Sequence, residues 1–270
     1  MKTRVISAVV MIIVAVACFV LSPYTRLLIL LAAAVISIRE VSNVFSKLDM
    51  HSSEWVLYCF AVGMALLAAL SVTKVFSPVF YIAWFFFAMF LSMFEGIRSK
   101  NIRGKGAMAN TSILMYPLFS YALVMVICVS HGWQPVIIIA CAATWLCDTF
   151  ALLGGKWWGS HKIAPYTSPN KTLEGCLTGA ASSVIAGLIA TLILKLLGFH
   201  VPVGISMLVA LVASTMGQVG DLAASLLKRT AGIKDYSNLI PGHGGAMDRL
   251  DSLLFSIPTS WFMLYLFNII

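Results

Sequence analysis

Charge is scarce in this chain. Only 10% of its 270 residues are Asp, Glu, Lys or Arg, and 60% are hydrophobic. Soluble domains carry about 25% charged and about 45–50% apolar residues, so an ordinary water-soluble enzyme is excluded. No polar stretch is long enough to make a soluble domain beside a single membrane anchor. Cysteine patterning is missing too. Cys18, Cys59, Cys128, Cys141, Cys147 and Cys176 lie in or beside apolar runs, with no CxxC or Cys/His spacing. Neither a disulfide framework nor a zinc site is expected from them. No G-x-x-x-x-G-K-[ST] occurs and no G-x-G-x-x-G follows a strand, which excludes a P-loop and a dinucleotide fingerprint. Internal repeats and low-complexity tracts are absent as well.

Long apolar runs are what the chain has instead. A helix needs about 20 largely apolar residues to cross the hydrocarbon layer. Nine segments qualify, near 4–22, 27–46, 54–73, 76–94, 109–130, 134–153, 175–197, 201–227 and 250–269. The second is interrupted by Arg39 and Glu40. The first opens Met-Lys-Thr-Arg like a signal peptide, but no small-residue cleavage site followed by a soluble domain comes after it; it reads as a retained span. The expected fold is all-α: a polytopic integral membrane protein of about nine transmembrane helices. It forms one membrane-embedded domain over 1–270, with N-terminal helices in 1–130 and the remaining helices in 134–270. Two connections, near 154–174 and 228–249, are rich in Gly, Pro, Ser, Lys and Asn and read as ordered polar loops.

The few charges are unevenly placed. With a cytoplasmic N-terminus, fifteen of the eighteen Lys and Arg fall on the inner side, leaving Arg26, Lys74 and Lys195 outside. That bias fits the positive-inside rule and removes the need for nucleic acid to explain the net charge of +8. Six of the ten acids gather on the same face. Asp148 and Asp221 lie near the ends of the sixth and eighth spans, Asp248 and Asp251 open the ninth, and Glu174 and Asp235 sit in the polar loops. Carboxylates this near hydrocarbon are costly unless they pair or bind something.

Spacing sharpens that pattern. Asp221, Ser225 and Lys228 fall on one helical stripe, and Asp248 and Asp251 share a face at i,i+3. Carboxylates from two helices can form the all-oxygen shell that Mg²⁺ prefers, completed by water and substrate phosphates. In the second loop, Pro241-Gly242-His243-Gly244-Gly245 is a side-chain-poor turn whose main-chain N–H groups could approach a phosphate. Lys228, Arg229, Lys234 and Arg249 flank it. The first loop adds Lys156, Lys162 and Lys171, with Ser168, Asn170 and Thr172 just ahead of a helix N-terminus that favours anions. His243 reads either as a general acid or base or as a donor to phosphate. Together these features point to nucleotide or phospholipid chemistry at the cytoplasmic face. A cation-coupled secondary transporter is the alternative of another class, although transporter sites lie near the bilayer midplane, often between repeats.

The run from Ser225 through Lys228-Arg229, Lys234-Asp235, Ser237 and Pro241-Gly-His243-Gly244-Gly245 to Asp248-Arg249-Leu-Asp251 resembles the signature of the phosphatidate cytidylyltransferase family. The stretch from Asp148-Thr149 to Ser168-Pro169-Asn170-Lys171-Thr172 and Glu174-Gly175 is similar to the family's other polar segment. Ala246 and Leu152 depart from the pattern without removing a polar group. The resemblance implies transfer of CMP from CTP to phosphatidic acid, with Mg²⁺ and room for a second cation, by a homodimer in the cell's inner membrane. A relative acting on another lipid phosphate is the nearer alternative. By the same resemblance Asp221, Asp248 and Asp148 are expected to bind metal. Lys228, Arg229, Asp235, His243, Arg249 and Asp251 are expected to be catalytic. Lys171, Ser168, Asn170, Thr172, Ser225, Lys234, Gly244 and Gly245 are expected to bind substrate. Membrane lipid is a further expected partner, and nucleic acid is not.

Overall fold

Ser22 stands directly before a proline-led apolar run, and the computed structural model shows what that arrangement does. Ser22 caps helix α1, Pro23–Lys47, by accepting a bond from the Thr25 N–H, with Pro23 at its first position; a proline there gives up only an N–H that a helix start leaves unpaired. The structure describes residues 22–72, 79–98, 104–240, 242 and 244–270. Except for Ser22, the expected span at 4–22, with Cys18, lies outside them, as do Pro241 and His243.

Contacts divide the chain into two compact units. One takes the chain up to Ser130 together with Ala231–Arg249, and the other takes His131–Thr230 with Leu250–Ile270.

In the first unit α1 is followed by α2, Glu54–Ser71, and α3, Val79–Arg98. Then come α4, Gly104–Ile113, a π-helical turn at Leu114–Leu118, and α5, Phe119–Val129. Pro117 sits inside the π turn and Tyr116 leaves helical geometry at φ −153°, ψ 120°; a proline inside a helix removes a hydrogen bond and kinks it. Ala34, Ile38, Val41 and Val44 of α1 are fully buried, and Ser37 bonds the Tyr121 hydroxyl of α5 at 2.7 Å. Gly63 is where α2 meets α3: a Cβ there would lie 2.3 Å from the Trp84 ring, whose indole N–H donates to the Phe60 carbonyl. By contrast, α3 buries only Ala88 and Ser92 while Phe80, Phe86, Phe87 and Phe90 are exposed. A helix that turns aromatic side chains outward is solvated by lipid rather than water.

The second unit is built on α6, Trp133–Trp158, α7, Leu173–Leu196, and α8, Val203–Thr230. Small residues set how closely they approach, as in membrane helix pairs generally. A Cβ on Gly154 would fall 1.9 Å from the Thr178 Oγ1, and one on Gly179 would fall 2.8 Å from the Cys147 carbonyl oxygen. Further along α7, Gly187 packs on the α8 main chain at Ser206 and Met207, and the Ser206 hydroxyl donates to the Gly187 carbonyl at 2.8 Å. The expected loop at 154–174 is more ordered than its composition implied. Helix α6 continues to Trp158, and a two-stranded antiparallel hairpin follows, β1 Lys162–Ala164 and β2 Ser168–Thr172, with Lys162 opposite Thr172 and Ala164 opposite Ser168.

Beyond residue 246 the chain forms a four-residue helix, α9, Met247–Leu250, a turn at Asp251 and Ser252, and α10, Leu253–Leu266. Seven helices among the described residues are long and apolar enough to cross a membrane, counting α4 to α5 as one, so the protein is a nearly all-α integral membrane protein. The 14 residues of α10 rise only about 21 Å, short of the roughly 30 Å hydrocarbon layer. The expected ninth span is therefore a broken, shorter helix, because Asp251 and Ser252 form a turn instead of its first helical residues.

Candidate functional site

Each unit carries its own polar centre. In the second, the stripe expected on α8 is present: Ser225 and Lys228 are buried and Asp221 is half-buried. Strand β2 supplies the partner. The Lys171 ammonium stands 2.5 Å from Asp221 Oδ2, with the two side chains 23% and 33% exposed, and reaches the Gln218 carbonyl at 3.4 Å. Arg229 donates through Nε to the Thr167 carbonyl at 3.1 Å. Two cationic side chains thus tie the hairpin to the last turns of α8.

Thr172 has a structural role beside the one its position suggested. It is buried, and its hydroxyl accepts the Gly175 N–H as the N-cap of α7; that cap by itself is enough to account for a threonine here. Glu174 closes the other side of the hairpin. Its carboxylate accepts the main-chain N–H groups of Ser160 and His161 and the Ser160 hydroxyl, with His161 Nδ1 at 2.5 Å. Ser168 is half-buried and Asn170 exposed on β2.

The acids lie deeper along their helices than the apolar runs implied. Since α6 ends at Trp158 and α8 at Thr230, Asp148 and Asp221 sit about 14–15 Å from those ends. Asp148 is exposed. Asp251 is buried, and its Oδ1 accepts the Ser252 N–H at 2.7 Å. Its main-chain carbonyl is where a Cβ on Gly220 would collide, at 2.6 Å.

The first unit holds the segment 231–249, whose described residues have almost no regular structure and bond to two carboxylates. Asp248 Oδ2 accepts the Tyr236 N–H at 2.8 Å and the Gly245 N–H at 2.9 Å. Glu40 of α1, 4% exposed, accepts the Ser237 hydroxyl at 2.5 Å and the Ala246 N–H at 3.0 Å on Oε1, and the Met247 N–H at 2.8 Å on Oε2. Ile240 N–H closes a bridge to the Gly244 carbonyl at 2.8 Å. Lys234, Asp235 and Arg249 are exposed along this segment.

This geometry revises the reading of the glycine pair. The N–H groups of Gly245, Ala246 and Met247 are turned onto protein carboxylates, so in this conformation they form no open cradle for an anion. Gly244 holds φ +83°, and a Cβ on Gly245 would lie 2.4 Å from Glu40 Oε1. Left-handed backbone at Gly244 and close approach to a carboxylate at Gly245 are each enough to require glycine. Glu40 itself was missed because it looked like an interruption of an apolar run. The signal was available, since an acid inside a membrane helix is by default a residue with a dedicated partner.

No group of three or more His, Cys, Asp or Glu side chains suited to a metal ion gathers among the described residues. The donor chemistry still fits Mg²⁺, which takes one or two carboxylates and completes its shell with water and substrate phosphates. At Asp221 a cation would compete with the Lys171 ammonium, and at Asp248 it would share the carboxylate with two N–H donors.

Apolar helices of membrane-crossing length, with Lys228 buried on one of them and the Lys171–Asp221 pair beside a short hairpin, define a polytopic membrane protein. Its family is more specific. The model described as "Cytidylyltransferase family" matches residues 2–267, and the chain belongs to that family. It is 42% identical over 132 residues to a phosphatidate cytidylyltransferase of Bacillus subtilis, covering 49% of this chain and 48% of the relative. Proteins of the same name from Staphylococcus aureus and Staphylococcus epidermidis are 44% and 41% identical over 122 residues, 45% of this chain and 46% of each relative. The chain thus spans about half the length of the curated relatives it matches.

Proposed function

We propose that the protein transfers CMP from CTP to phosphatidic acid, giving CDP-diacylglycerol and pyrophosphate. The family match over residues 2–267 carries this reading, and the name shared by the relatives matched over about half their length supports the choice of lipid. A phosphate monoester is already mostly dianionic at neutral pH, its second pKa being about 6. It needs positioning and charge neutralisation more than it needs a base. Its oxygen attacks the α-phosphorus of CTP in line with departing pyrophosphate, forming one P–O bond as another breaks, and charge spreads over the equatorial oxygens.

Lys171, Lys228, Arg229, Lys234 and Arg249 are assigned to phosphate oxygens. Asp221 holds the Lys171 ammonium in place, and Lys171 would be free to meet a substrate phosphate if a cation were bound at that carboxylate. Asp221, Asp248 and Asp148 are assigned to Mg²⁺, which when bound would neutralise charge on the triphosphate. Ser168, Asn170 and Ser225 line the polar surroundings, and Asp235, His243 and Asp251 complete the set expected for catalysis. Phosphatidic acid arrives laterally from the inner leaflet and CTP from the cytoplasm, with the N-terminus and the polar segments cytoplasmic and the protein acting as a homodimer.

An acceptor panel tests the choice of lipid. With CTP and Mg²⁺ in detergent, phosphatidic acid should be the fastest acceptor. Faster transfer to a polyprenyl monophosphate or an ether-lipid phosphate would reassign it.

A further inference from the structure

The described residues of 236–248 have little regular structure of their own, and one remote side chain gathers several of them. Glu40 takes three donors at once: the Ser237 hydroxyl, the Ala246 N–H and the Met247 N–H. The last two lie where α9 begins, among N–H groups that a short helix leaves without partners of its own. A buried carboxylate is costly unless it is well bonded, and Glu40 satisfies both its oxygens on this one stretch of chain. The stretch returns the fit, because Gly245 has no side chain exactly where Glu40 Oε1 would meet a Cβ, 2.4 Å away. Asp248 then fastens the same stretch from within, through Tyr236 and Gly245.

We propose that Glu40 is a positioning residue: it fixes Ser237, Ala246 and Met247 and through them the presentation of Asp248 and Arg249. The effect on catalysis rests on the CMP-transfer reading; the effect on the segment does not. Glutamine at position 40 keeps one acceptor oxygen for Ser237 and Ala246 but turns an NH₂ toward the Met247 N–H. One charge-assisted bond becomes a donor facing a donor.

The test compares the full-length wild type, Glu40→Gln and Ser237→Ala in detergent by two readouts. Backbone hydrogen exchange over 236–250 should speed up at least tenfold in Glu40→Gln, while α6 to α8 keep wild-type protection. In Ser237→Ala the change should be smaller. Turnover of Glu40→Gln should fall about 10- to 100-fold, as for residues that orient a metal ligand or active group from behind. The loss should lie in kcat more than in the KM for CTP, and a higher Mg²⁺ concentration should be needed for half-maximal rate. Wild-type exchange over 236–250 together with wild-type kcat in Glu40→Gln would overturn the proposal. If Glu40→Gln fails to fold, Ser237→Ala decides: unchanged exchange overturns the proposal and faster exchange sustains it. A wild-type protein that makes no nucleotide-linked lipid would contradict the CMP-transfer reading instead, and the exchange readout would still judge Glu40.

Discussion

Replacing Asp221 by Asn puts the Lys171 pair to a quantitative test. The ammonium and carboxylate are 2.5 Å apart and retain 23% and 33% of their exposure, so water screens them only in part. A hydrogen bond between charged groups contributes about 1.5–3 kcal/mol. Discounting for partial exposure leaves about 1–2 kcal/mol. A double-mutant cycle of Asp221→Asn, Lys171→Met and the double variant, read as denaturation midpoints in detergent, should return a coupling of that size. Activity should follow a different pattern. If Asp221 also meets a cation in the reaction, Asp221→Asn should lower kcat/KM at least 100-fold, about 2.7 kcal/mol of transition-state stabilisation. Lys171→Met should not rescue it. A stability coupling near zero would refute the pair as a fastening of the hairpin, and near-wild-type turnover in Asp221→Asn would refute the metal assignment.

Other expectations follow from the packing and the caps. Gly179→Val should destabilise the second unit by about 2 kcal/mol or more, since its Cβ would lie 2.8 Å from the Cys147 carbonyl oxygen and overpacking commonly costs 1–3 kcal/mol; a thermal midpoint in detergent shows it. Thr172→Val should cost about 1 kcal/mol through the lost cap and leave the KM for CTP nearly unchanged, whereas a large KM effect would return Thr172 to the substrate contacts. Single cysteines at positions 105 and 195, in a cysteine-free background, should label from opposite sides of sealed vesicles with an impermeant maleimide; labelling from the same side would contradict the orientation.

Much of this protein was legible in its apolar runs because a bilayer imposes one length on every crossing helix. Seven of the nine expected spans have matching helices, with ends shifted where Gly154, Gly155 and Lys156 continue α6 past the apolar stretch. Residue chemistry was legible too: the α8 stripe of Asp221, Ser225 and Lys228 follows from helical spacing alone. Partners were not. Nothing local tells that Lys171 meets Asp221, or that Met247 donates to a carboxylate 207 positions away in sequence. For the same reason Gly245 looked like a place for phosphate. A glycine announces that something comes close, but the sequence does not say what. Thr172 shows the limit at short range, where a hydroxyl beside a helix start serves as a cap or a ligand with the same spelling.

The central claim is the transfer of the CMP moiety onto a lipid phosphate, and labelled CTP tests it most directly. Purified protein supplied with phosphatidic acid and Mg²⁺ should move label from the α-phosphate of CTP into chloroform-soluble product. Label from the γ-phosphate should appear only in pyrophosphate, and omitting either phosphatidic acid or Mg²⁺ should abolish both. Lipid product that carries the γ-label, or no lipid-soluble label with all components present, would contradict the account.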